Sequence, residues 1–341
     1  MKIIKVKAEH NYQVEIGVEF SSAIKQICNN HRKVLLLAPA SLIKLFKIKE
    51  SKNLFLLPTP NGESQKSAQF LDRIWRKAAS IGLERSDAII GFGGGATTDV
   101  AGFAAATWLR GISWYAIPTS LAGMVDAGVG GKTGINSGAG KNLIGSFYSP
   151  KKVFIDPHFL ESLPKRDISA GMAEVIKCGF IADYKILNLV QEDILDYPQL
   201  ISRAVKVKAD VVSKDFKESK LREILNYGHT LGHAIEKDSK YKLRHGEAVS
   251  IGMVFAAELS KELVNLSEDA VLLHRELLRN FNLPLSYSRS RWNSLSVLLM
   301  QDKKVKQSRL RLIGISKIGK PVWLEDVSLG TLAKVYERIS K

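Results

Sequence analysis

The stretch that decides the fold is DAIIGFGGG at residues 87–95. Its first six residues form a short apolar run, which is typical of a buried strand in a parallel sheet. Three glycines follow at once, and residues 100–109 are predicted to continue as a helix. Glycines between strand and helix let the backbone approach a diphosphate, and amides at a helix start bind anions. The spacing is not that of the G-x-G-x-x-G fingerprint. A nucleotide site is therefore favoured over a plain packing turn.

The segments around this stretch alternate between strand and helix patterns. A strand is predicted at the N-terminus, and residues 65–79 have the spacing of an amphipathic helix. Further buried strands are predicted at residues 34–38, 53–58 and 114–117. Strands separated by helices imply crossover connections and a mostly parallel sheet. Residues 121–148 are rich in Gly, Ser and Asn without a clear period, so we expect a functional loop there.

Beyond about residue 165 helical periods dominate. They cover residues 171–181, 186–191, 198–214, 221–236 and 246–264, and a hairpin is predicted at residues 309–315 and 321–324. The sequence therefore predicts an α/β protein in two parts. A Rossmann-like, mostly parallel sheet domain that binds the nucleotide spans residues 1–160, and a mainly α-helical domain that binds metal and substrate spans residues 161–341.

The charge and composition exclude several classes of protein. Fifty Lys and Arg residues against thirty-four Asp and Glu leave a net charge of +16, but the cations are spread along the chain and aromatic residues are only 8%. This pattern favours an anionic small molecule over nucleic acid. No apolar run approaches the roughly 20 residues of a membrane span, and the N-terminus does not resemble a signal peptide. Two cysteines, Cys28 and Cys178, suit a reducing cytoplasmic setting.

A second glycine-rich segment, DAGVGGKTG at residues 126–134, is followed by Lys141 and Asn142. Two lysines and an amide in such a loop suit a phosphate or a polyol. Residues 130–133, GGKT, are similar to the end of a P-loop. However, Asp126 lies where the first glycine of a P-loop is expected and no strand precedes the segment, so we reject an NTPase. A surface turn with exposed lysines is the alternative.

The third feature is a cluster of histidines. His229 and His233 are four residues apart on a predicted helix, and His245 follows in the segment RHGE. Imidazoles at this spacing can converge on a divalent metal, although the H-E-x-x-H pattern of zinc proteases is missing. Glu174, in an otherwise apolar helix, is a further candidate ligand. The alternatives are a half-buried histidine pair, and a salt bridge from Glu174 to Lys177 or Lys208.

A polar stripe precedes the histidines. Glu218, Arg222 and Asn226 are spaced by four, so one continuous helix would place them on a face that continues to His229 and His233. Such a stripe usually faces solvent. Because this one leads to the histidine pair, we expect it to form the wall of a cleft.

Together these segments resemble the 3-dehydroquinate synthases, and the resemblance extends from about residue 55 to 315. The matching stretches are 93–99, 110–111, 118–119, 125–126, 130–134, 141–142, 171–177, 225–233 and 245–249. The intact GKTG at residues 131–134 points to the dehydroquinate branch of the sugar phosphate cyclases over the inosose and valiolone branches. The resemblance implies the dehydroquinate synthase-like fold and the activity of a lyase of the shikimate route to aromatic amino acids.

The resemblance also implies cofactors, substrate and assembly. The cofactors would be NAD and zinc or cobalt, and the substrate would be the seven-carbon sugar acid 3-deoxy-D-arabino-heptulosonate 7-phosphate. The products would be 3-dehydroquinate and phosphate, and the protein would be a homodimer without nucleic-acid or membrane partners. The implied metal ligands are Glu174, His229 and His245. His233 instead takes part in proton transfer, as does Glu218, and Lys132 joins them as a catalytic residue.

The remaining implied contacts fall into two sets. Substrate contacts are Arg110, Asp126, Lys132, Asn142, Lys177, Lys208, Arg222, Asn226 and one of Lys303 or Lys304. NAD contacts are Glu63, Lys66, Gly93, Gly94, Gly95, Ala96, Thr97, Asp99, Thr119, Ser120, Lys141, Phe159, Leu160, Glu161 and Ser162.

Some positions depart from the family pattern, and other functions stay open. Ala127 and Gly128 replace two hydroxyl residues, Phe216 replaces an acid, and Ala170 stands where some members carry Asn. These changes concern affinity, because no ligand or proton-transfer group is lost.

The alternative functions are a polyol dehydrogenase of the same architecture, a catalytically inactive scaffold and a nucleic-acid binder. Lys132, Lys208 and Arg222 argue against the dehydrogenase, which needs no phosphate pocket.

Overall fold

The computed structural model describes residues 1–305 and 311–341, with side chains described up to residue 300 and from residue 311. The chain forms two compact units. The first is Met1–Leu163 with Lys208–Lys217, and the second is Pro164–Val207 with Glu218–Lys341. The domain boundary after residue 160 and the roles of the two domains stay predictions. In the described part of the chain, no helix has the length and apolarity needed to cross a bilayer.

The first unit is built on a seven-stranded sheet. Its elements are β1 (Lys2–Val6), β2 (Tyr12–Ile16), α1 (Phe20–Asn30), β3 (Val34–Pro39), α2 (Ala40–Leu45), β4 (Leu54–Thr59), α3 (Ala68–Ser80), β5 (Ala88–Gly93), α4 (Gly95–Thr107), β6 (Ser113–Pro118), β7 (Lys132–Ser137), β8 (Gly140–Phe147) and β9 (Lys152–Ile155). The strand order is β1-β2-β9-β6-β5-β3-β4, and every neighbouring pair except β1 with β2 is parallel. The mostly parallel sheet is confirmed.

The central position of β3 and β5 in the sheet explains why these strands could be predicted from their apolar runs. Residues 34–38 and 88–93 are buried throughout, as expected for parallel strands that are covered on both faces. The helix after the glycine turn begins at Gly95, five residues before the predicted start. Gly94 is its extended N-cap residue, so the glycine turn itself forms the helix start. This arrangement directs the first amides of α4 toward the carboxyl edge of the sheet.

The prediction of an irregular loop over residues 121–148 is wrong. A turn of π-helix covers Gly123–Ala127, and β7 and β8 then pair as an antiparallel hairpin. Gly134 lies directly opposite Gly145 in that hairpin, and a Cβ on Gly134 would lie 2.6 Å from the carbonyl oxygen of Ile144. Glycines paired across the strands remove the alternation of side chains on which strand prediction depends.

The second unit is mainly helical. Its elements are α5 (Lys165–Ile181), α6 (Tyr184–Leu189), the first part of α7 (Tyr197–Lys214), α8 (His229–Asp238), α9 (His245–Val264), α10 (Glu268–Asn280), α11 (Trp292–Val305), β10 (Arg311–Lys317), β11 (Lys320–Glu325) and α12 (Leu329–Ile339). Residues 246–260 of α9 are all buried, so this helix forms the core of the unit. The predicted hairpin is confirmed for residues 311–315 and 321–324, which lie in β10 and β11, whereas residues 309 and 310 lie outside the described residues.

The prediction of one helix over residues 221–236 is wrong. A 3-10 helix spans Leu221–Asn226, and Gly228 then adopts a φ of +78° before α8 begins at His229. Glu218 lies before the 3-10 helix with a φ of +59°. The polar residues therefore do not share one helical face with the histidines. Nevertheless, Asn226 Nδ2 donates a hydrogen bond to Glu218 Oε1 over 3.1 Å, so two members of the predicted stripe do meet.

Candidate functional site

The start of α9 places one histidine close to α5. A Cβ on Gly246 would lie 1.8 Å from the carbonyl oxygen of Ala170, so only glycine permits this approach of the two helices. Glu247 accepts hydrogen bonds from the backbone N–H of Arg244 at 2.8 Å and from Arg166 Nε at 2.6 Å. These bonds cap the helix, whose first residue is His245. The imidazole of His245 is thereby held beside Glu174 of α5.

The start of α8 places the second histidine. Gly228 has a positive φ, and a Cβ there would lie 2.8 Å from the backbone nitrogen of Met253. The turn at Gly228 leads directly into buried His229, whose Nδ1 lies 3.1 Å from the carbonyl oxygen of Tyr227. Because that oxygen can only accept, Nδ1 carries the proton and Nε2 keeps its lone pair. The nitrogen that faces Glu174 is therefore the one that can bind a metal.

Three potential ligands converge at this point. Glu174 Oε1 lies 3.2 Å from His245 Nε2 and 3.5 Å from His229 Nε2. One ligand atom from each of the three residues lies within 4.8 Å of the others. The side chain of Glu174 is only 1% exposed, and neither of its oxygens has a partner in hydrogen-bond geometry among the described residues. Two imidazole nitrogens and a buried carboxylate at these distances fit a divalent cation such as zinc.

The ammonium group of Lys177 is the other neighbour of this carboxylate. Lys177 Nζ lies 2.5 Å from Glu174 Oε2, so the alternative of an ion pair with Lys177 is present as well. Burial disfavours the charge on Glu174, but Lys177 and the imidazoles outweigh burial and hold its pKa well below the ordinary value. The cluster thus keeps Glu174 as a carboxylate, the form that a metal requires.

The two imidazoles differ in their protonation. Burial, assisted by the charge of Lys177, lowers the pKa of His229 to about 3, so this ring is neutral. Burial also disfavours the charged form of His245, but the carboxylates of Glu174 and Glu236 raise its pKa to about 10. The proton on His245 and the charge of Lys177 together offset the carboxylates of Glu174 and Glu236. A divalent cation bound here would supply positive charge in place of the His245 proton.

His233 and Glu236 form the outer side of the cluster. The ring centroid of exposed His233 lies 5.3 Å from that of His229, and His245 Nδ1 lies 3.1 Å from Glu236 Oε2. Ligand atoms of His233, Glu236 and His245 also lie within 4.8 Å of one another. The sequence analysis missed Glu236. Its position three residues after His233 on the same helix was the available signal.

The other predicted residues of the second unit lie in different environments. Arg222 and Lys177 are each 2% exposed, so both cations are buried, and Asn226 holds the carboxylate of Glu218. A buried cation needs an anionic or polar partner, and Lys177 has one in Glu174 Oε2. The predicted substrate contact at Lys303 or Lys304 falls in the last turn of α11, where both side chains lie outside the described residues.

In the first unit, a network surrounds Lys66. Lys66 Nζ lies 2.5 Å from Asp99 Oδ2 and 3.8 Å from Glu63 Oε1, and it also donates to Asn142 Oδ1. Asn136 joins the network through a 2.8 Å hydrogen bond from Nδ2 to Glu63 Oε1. Four predicted residues are thus brought together, and Asn136 was missed because an isolated Asn in a glycine-rich segment carries no pattern. Burial raises the pKa of Asp99, against the opposing effect of Lys66.

The carboxyl edge of the sheet holds polar atoms that are buried without partners. Thr97, in the first turn of α4, and Thr59, at the end of β4, are 1% and 6% exposed. Their hydroxyl oxygens have no hydrogen-bond partner in the described part of the chain. Thr119 follows β6 and donates its N–H to the carbonyl of Gly93 at 2.8 Å. Unsatisfied hydroxyls beside a glycine turn and a helix start fit the diphosphate of a dinucleotide.

The remaining residues of the first unit surround or support this edge. Lys208 Nζ lies 2.5 Å from Asp126 Oδ1, so Lys208 already has a carboxylate partner. The hydroxyl of Ser120 accepts a hydrogen bond from the backbone N–H of Gly123 at 3.2 Å. Arg110 has a φ of +66° and is exposed, as is Lys132, whereas Lys141 is half-buried. Gly93, Gly94, Gly95 and Ala96 form the turn and the start of α4.

The predicted NAD contacts at residues 159–162 lie in a 3-10 helix, Pro157–Ser162. Phe159 and Leu160 are buried, and the ring of Phe159 packs 5.2 Å from Phe46 and 5.4 Å from Phe92 between centroids. Glu161 is exposed, and Ser162 Oγ donates to the carbonyl oxygen of Phe159. The Phe159 side chain therefore belongs to an aromatic cluster of the core, and a cofactor contact there would involve the backbone.

Comparison with known proteins gives consistent results across the chain. The family model described as 3-dehydroquinate synthase N-terminal matches residues 56–170, and the one described as 3-dehydroquinate synthase C-terminal matches residues 171–305. A 3-dehydroquinate synthase of Mycobacterium leprae is 45% identical, and the alignment covers 99% of this chain and 97% of that protein.

Two solved structures share the fold. A 2-deoxy-scyllo-inosose synthase, solved with carbaglucose-6-phosphate, NAD+ and Co2+, has a TM-score of 0.84 at 25% identity, with 99% of both chains covered. A 2-epi-5-epi-valiolone synthase from Streptomyces hygroscopicus subsp. jinggangensis, with NAD+ and Zn2+ bound, has a TM-score of 0.88 at 23% identity, with 98% of both chains covered. The latter likeness concerns the fold alone.

Proposed function

The chain belongs to the 3-dehydroquinate synthase family, and we propose that it converts 3-deoxy-D-arabino-heptulosonate 7-phosphate to 3-dehydroquinate and inorganic phosphate. It is an NAD- and divalent-metal-dependent carbon–oxygen lyase that acts on a phosphorylated sugar acid. The observation that carries this proposal is the convergence of Glu174, His229 and His245 in a chain whose two parts match the two family models.

We propose that Glu174, His229 and His245 hold the metal, which is zinc or cobalt. A divalent cation held by these residues would supply Lewis-acid chemistry, by which the pKa of a substrate hydroxyl is lowered. The hydrogen bond from His229 to the carbonyl of Tyr227 orients the ring, and Glu236 does the same for His245. Such outer contacts fix the tautomer and the direction of each ligand.

The glycine turn and the start of α4 are proposed to hold the NAD diphosphate. NAD held there would supply reversible hydride transfer, which leaves no net redox change over the whole reaction. The chain contributes the amides at Gly94 and Gly95 and the buried hydroxyl of Thr97. Lys66 and Asp99 form a rigid ion pair in the same unit, which suits polar groups that must orient a cofactor.

Proton transfer is assigned to His233, Glu218 and Lys132. His233 is exposed one helical turn after His229, so its imidazole can exchange a proton with substrate while His229 remains a ligand. The carboxylate of Glu218 is oriented by Asn226. Lys132, at the start of β7, is exposed in the first unit and supplies a positive charge for phosphate.

The anionic substrate is proposed to contact charged and amide groups of each unit. In the first unit these are Arg110, Asp126, Lys132, Asn142 and Lys208, and in the second they are Lys177, Arg222, Asn226 and one of Lys303 or Lys304. The support for this assignment is the match to the two family models together with the chemistry of the groups, because ammonium, guanidinium and amide donors recognise phosphate and carboxylate oxygens.

We also propose a homodimer in the cytoplasm that has no nucleic-acid partner. Cys28 and Cys178 are both free thiols, which agrees with a reducing compartment. Light scattering at the working concentration is expected to give twice the mass of the chain, and cell fractionation is expected to recover the protein with cytoplasmic markers. Binding to random DNA that weakens steeply with salt would favour the nucleic-acid alternative instead.

The deciding experiment is a phosphate-release assay with the heptulosonate phosphate. Release is expected only when both NAD and zinc are present, and a chelator is expected to abolish it. The absorbance of reduced NAD is recorded at the same time, because the hydride is returned and no reduced cofactor should accumulate. Accumulation of reduced NAD without phosphate release would identify a polyol dehydrogenase instead.

A further inference from the structure

A hydrogen bond between two buried side chains involves Tyr227, which lies two residues before His229. Tyr227 Oη lies 2.9 Å from Nε2 of His274 in α10, and both residues are fully buried. His274 Nδ1 lies 2.6 Å from the carbonyl oxygen of Ala270 in the same helix. Because that oxygen can only accept, Nδ1 carries the proton and Nε2 accepts from the Tyr227 hydroxyl. Burial lowers the pKa of His274 to about 4, so the ring is neutral and can accept.

Stacking fixes the ring of His274. Its centroid lies 3.4 Å from that of Phe180, and the two ring planes are 9° apart. Phe180 is fully buried in α5, the helix that also carries Glu174. The acceptor of the Tyr227 hydroxyl is therefore held by a helix that supplies one of the candidate metal ligands.

The backbone after Tyr227 forms a turn that presents a carbonyl oxygen to His229. Tyr227 has a φ of −54° and a ψ of 121°, and Gly228 has a φ of 78° and a ψ of −15°. These are the angles of the two central residues of a type II turn, the second of which is usually glycine. The carbonyl between these two residues is the one whose oxygen lies 3.1 Å from Nδ1 of His229.

Glycine alone does not determine the direction of this carbonyl. In a type I turn the ψ and φ angles that flank the same peptide differ by about 150° or more, so the carbonyl would face the opposite side, and glycine is compatible with both turns. Helix α9 holds the backbone at Gly228, because a Cβ on Gly252 would clash with the carbonyl oxygen of Gly228. Helix α10 holds the side chain of Tyr227. These two contacts fix both ends of the peptide that carries the carbonyl.

The Tyr227–His274 pair is not needed for packing alone. Replacement of both partners of a buried hydrogen bond with apolar groups of the same shape can leave stability almost unchanged. A hydrogen bond adds a preferred position for the phenol ring, and the Cα of Tyr227 moves with that ring. Because the peptide of the turn begins at that Cα, the position of the ring sets the position of the carbonyl that orients His229.

We propose that Tyr227 and His274 are positioning residues for His229. Their hydrogen bond holds the carbonyl of Tyr227 toward that imidazole, so that its Nε2 atom stays directed toward Glu174. Both residues act through His229, and neither is a ligand. This inference rests on the proposed metal site, and it adds two residues outside the candidate cluster to the groups that determine zinc affinity. Outer contacts that orient a ligand typically change metal affinity by about 10- to 100-fold.

The zinc affinity of the full-length chain, measured by competition with a chelator of known affinity, tests the proposal without turnover. Tyr227→Phe removes the hydroxyl and keeps the ring, and His274→Leu removes the acceptor. Each change is expected to weaken zinc binding about tenfold, at the lower end of the effect of outer contacts. The double variant leaves neither partner unsatisfied, yet it should bind zinc about tenfold more weakly as well, because the ring has lost its fixed position.

The absorption spectrum of the cobalt-loaded chain provides a second measurement. The visible bands of Co²⁺ depend on the geometry of its ligands, so reorientation of His229 should shift them in Tyr227→Phe and His274→Leu. His274→Gln is the rescue variant, because its amide oxygen can accept from the Tyr227 hydroxyl, and it should restore most of the zinc affinity and the wild-type spectrum. The matched control is Tyr336→Phe, which removes a buried hydroxyl that donates to the carbonyl of Ser288 at 2.8 Å in the same unit. This control should change neither measurement.

The outcomes separate this inference from the function on which it rests. Wild-type zinc affinity and cobalt spectra in Tyr227→Phe and His274→Leu would overturn the positioning role, as would equal effects of His274→Gln and His274→Leu. An effect of Tyr336→Phe as large as that of Tyr227→Phe would also overturn it, because general destabilisation would then be the cause. A wild-type chain that binds no zinc would overturn the metal site and this inference together. If the wild-type chain binds zinc but releases no phosphate, the proposed reaction fails, and the zinc affinities still decide the positioning role.

Discussion

Glu174 and Asp238 are two carboxylates of the second unit with side chains that are 1% and 2% exposed. Asp238 accepts hydrogen bonds from Tyr287 Oη at 2.8 Å, Arg291 Nε at 2.8 Å and Ser294 Oγ at 2.7 Å. Neither oxygen of Glu174 has such a partner among the described residues, although three nitrogens surround it. The same chemical group therefore has opposite surroundings in one unit.

The difference separates a structural carboxylate from a ligand. A buried carboxylate is stable when donors satisfy its lone pairs, and Asp238 meets that condition with neutral and charged donors. Glu174 instead lies beside the charges of Lys177 and His245, and it also faces the Nε2 atom of His229, which carries a lone pair rather than a proton. That last contact places an acceptor opposite an acceptor, which a cation between them would relieve. Each prediction below tests this contrast, in order of decreasing expected effect.

The largest effect is expected for His229→Ala. Loss of a ligand should remove stoichiometric zinc and reduce phosphate release about a thousandfold or more, because the metal contributes several kcal/mol to the reaction. Zinc content is measured by atomic absorption, together with the rate. Asp238→Asn is the matched control and should keep its zinc. Loss of zinc from both variants would show that zinc binding does not distinguish the cluster around Glu174 from the surroundings of Asp238.

A smaller effect is expected for His233→Ala. This histidine is exposed and is assigned to proton transfer, so its removal should slow phosphate release about a hundredfold while zinc stays bound. The pair of variants at His229 and His233 is informative because both remove one imidazole from α8. Equal loss of zinc from the two would show that the ligand assignment is wrong, and loss of zinc from His233→Ala alone would identify His233, Glu236 and His245 as the ligands.

The third prediction concerns stability. Asp238→Asn should lower the free energy of unfolding by about 2 kcal/mol, because Arg291, Tyr287 and Ser294 lose a charged acceptor. Chemical denaturation of the zinc-loaded chain measures this change, and the phosphate-release rate per bound zinc should be unchanged. A variant that is fully stable but inactive would place Asp238 in the reaction and contradict its structural role.

The effect of saturating zinc on the melting temperature also tests the contrast between Glu174 and Asp238. A ligand that binds only the folded state raises the melting temperature, so zinc should stabilise the wild-type chain and Asp238→Asn alike. Glu174→Gln should show no such rise, because an amide is a poor zinc ligand. A melting curve of each variant, with and without zinc, measures the difference.

The smallest effect is a pH dependence at Asp238. Hydrogen bonds from Arg291, assisted by Ser294 and Tyr287, lower the pKa of Asp238 in the folded chain. A lowered folded pKa means that the stabilisation is fully present above the ordinary Asp value of about 3.9 and is lost as the pH falls through the folded value. The difference in unfolding free energy between wild type and Asp238→Asn should therefore narrow below about pH 4. A constant difference down to pH 2 would contradict the lowered pKa.

Most of the first unit could be predicted because its strands are buried on both faces. Residues 34–38 and 88–92 read as continuous apolar runs, and the structure places both in the sheet. The hairpin of β7 and β8 could not be predicted in this way, because Gly134 and Gly145 replace the side chains that would alternate. The break of the helix at Gly228 was missed for a related reason. A single glycine in a helical pattern does not show whether its φ is positive.

The candidate site shows the same division. The three histidines and Glu174 were identifiable from residue type and spacing, and the family resemblance selected Glu174, His229 and His245 as ligands; that selection stays a prediction. Glu236 and Asn136 were missed because their significance lies in the atoms that they contact. A hydrogen-bond partner separated by many residues leaves no period in the sequence.

The amino-acid sequence alone was sufficient to predict the apolar strands, the glycine turn and the kinds of metal ligand that the chain offers. These features could be predicted because burial and backbone freedom depend on local residue type. The folded chain decided which buried carboxylate accepts hydrogen bonds from structural donors and which one lies among potential metal ligands. Glu174 and Asp238 differ in the donors that distant segments bring to them, at Tyr287 and Arg291 for Asp238 and at His229 and His245 for Glu174. That distinction requires atoms separated in sequence to lie within a few ångströms, and only tertiary packing achieves it.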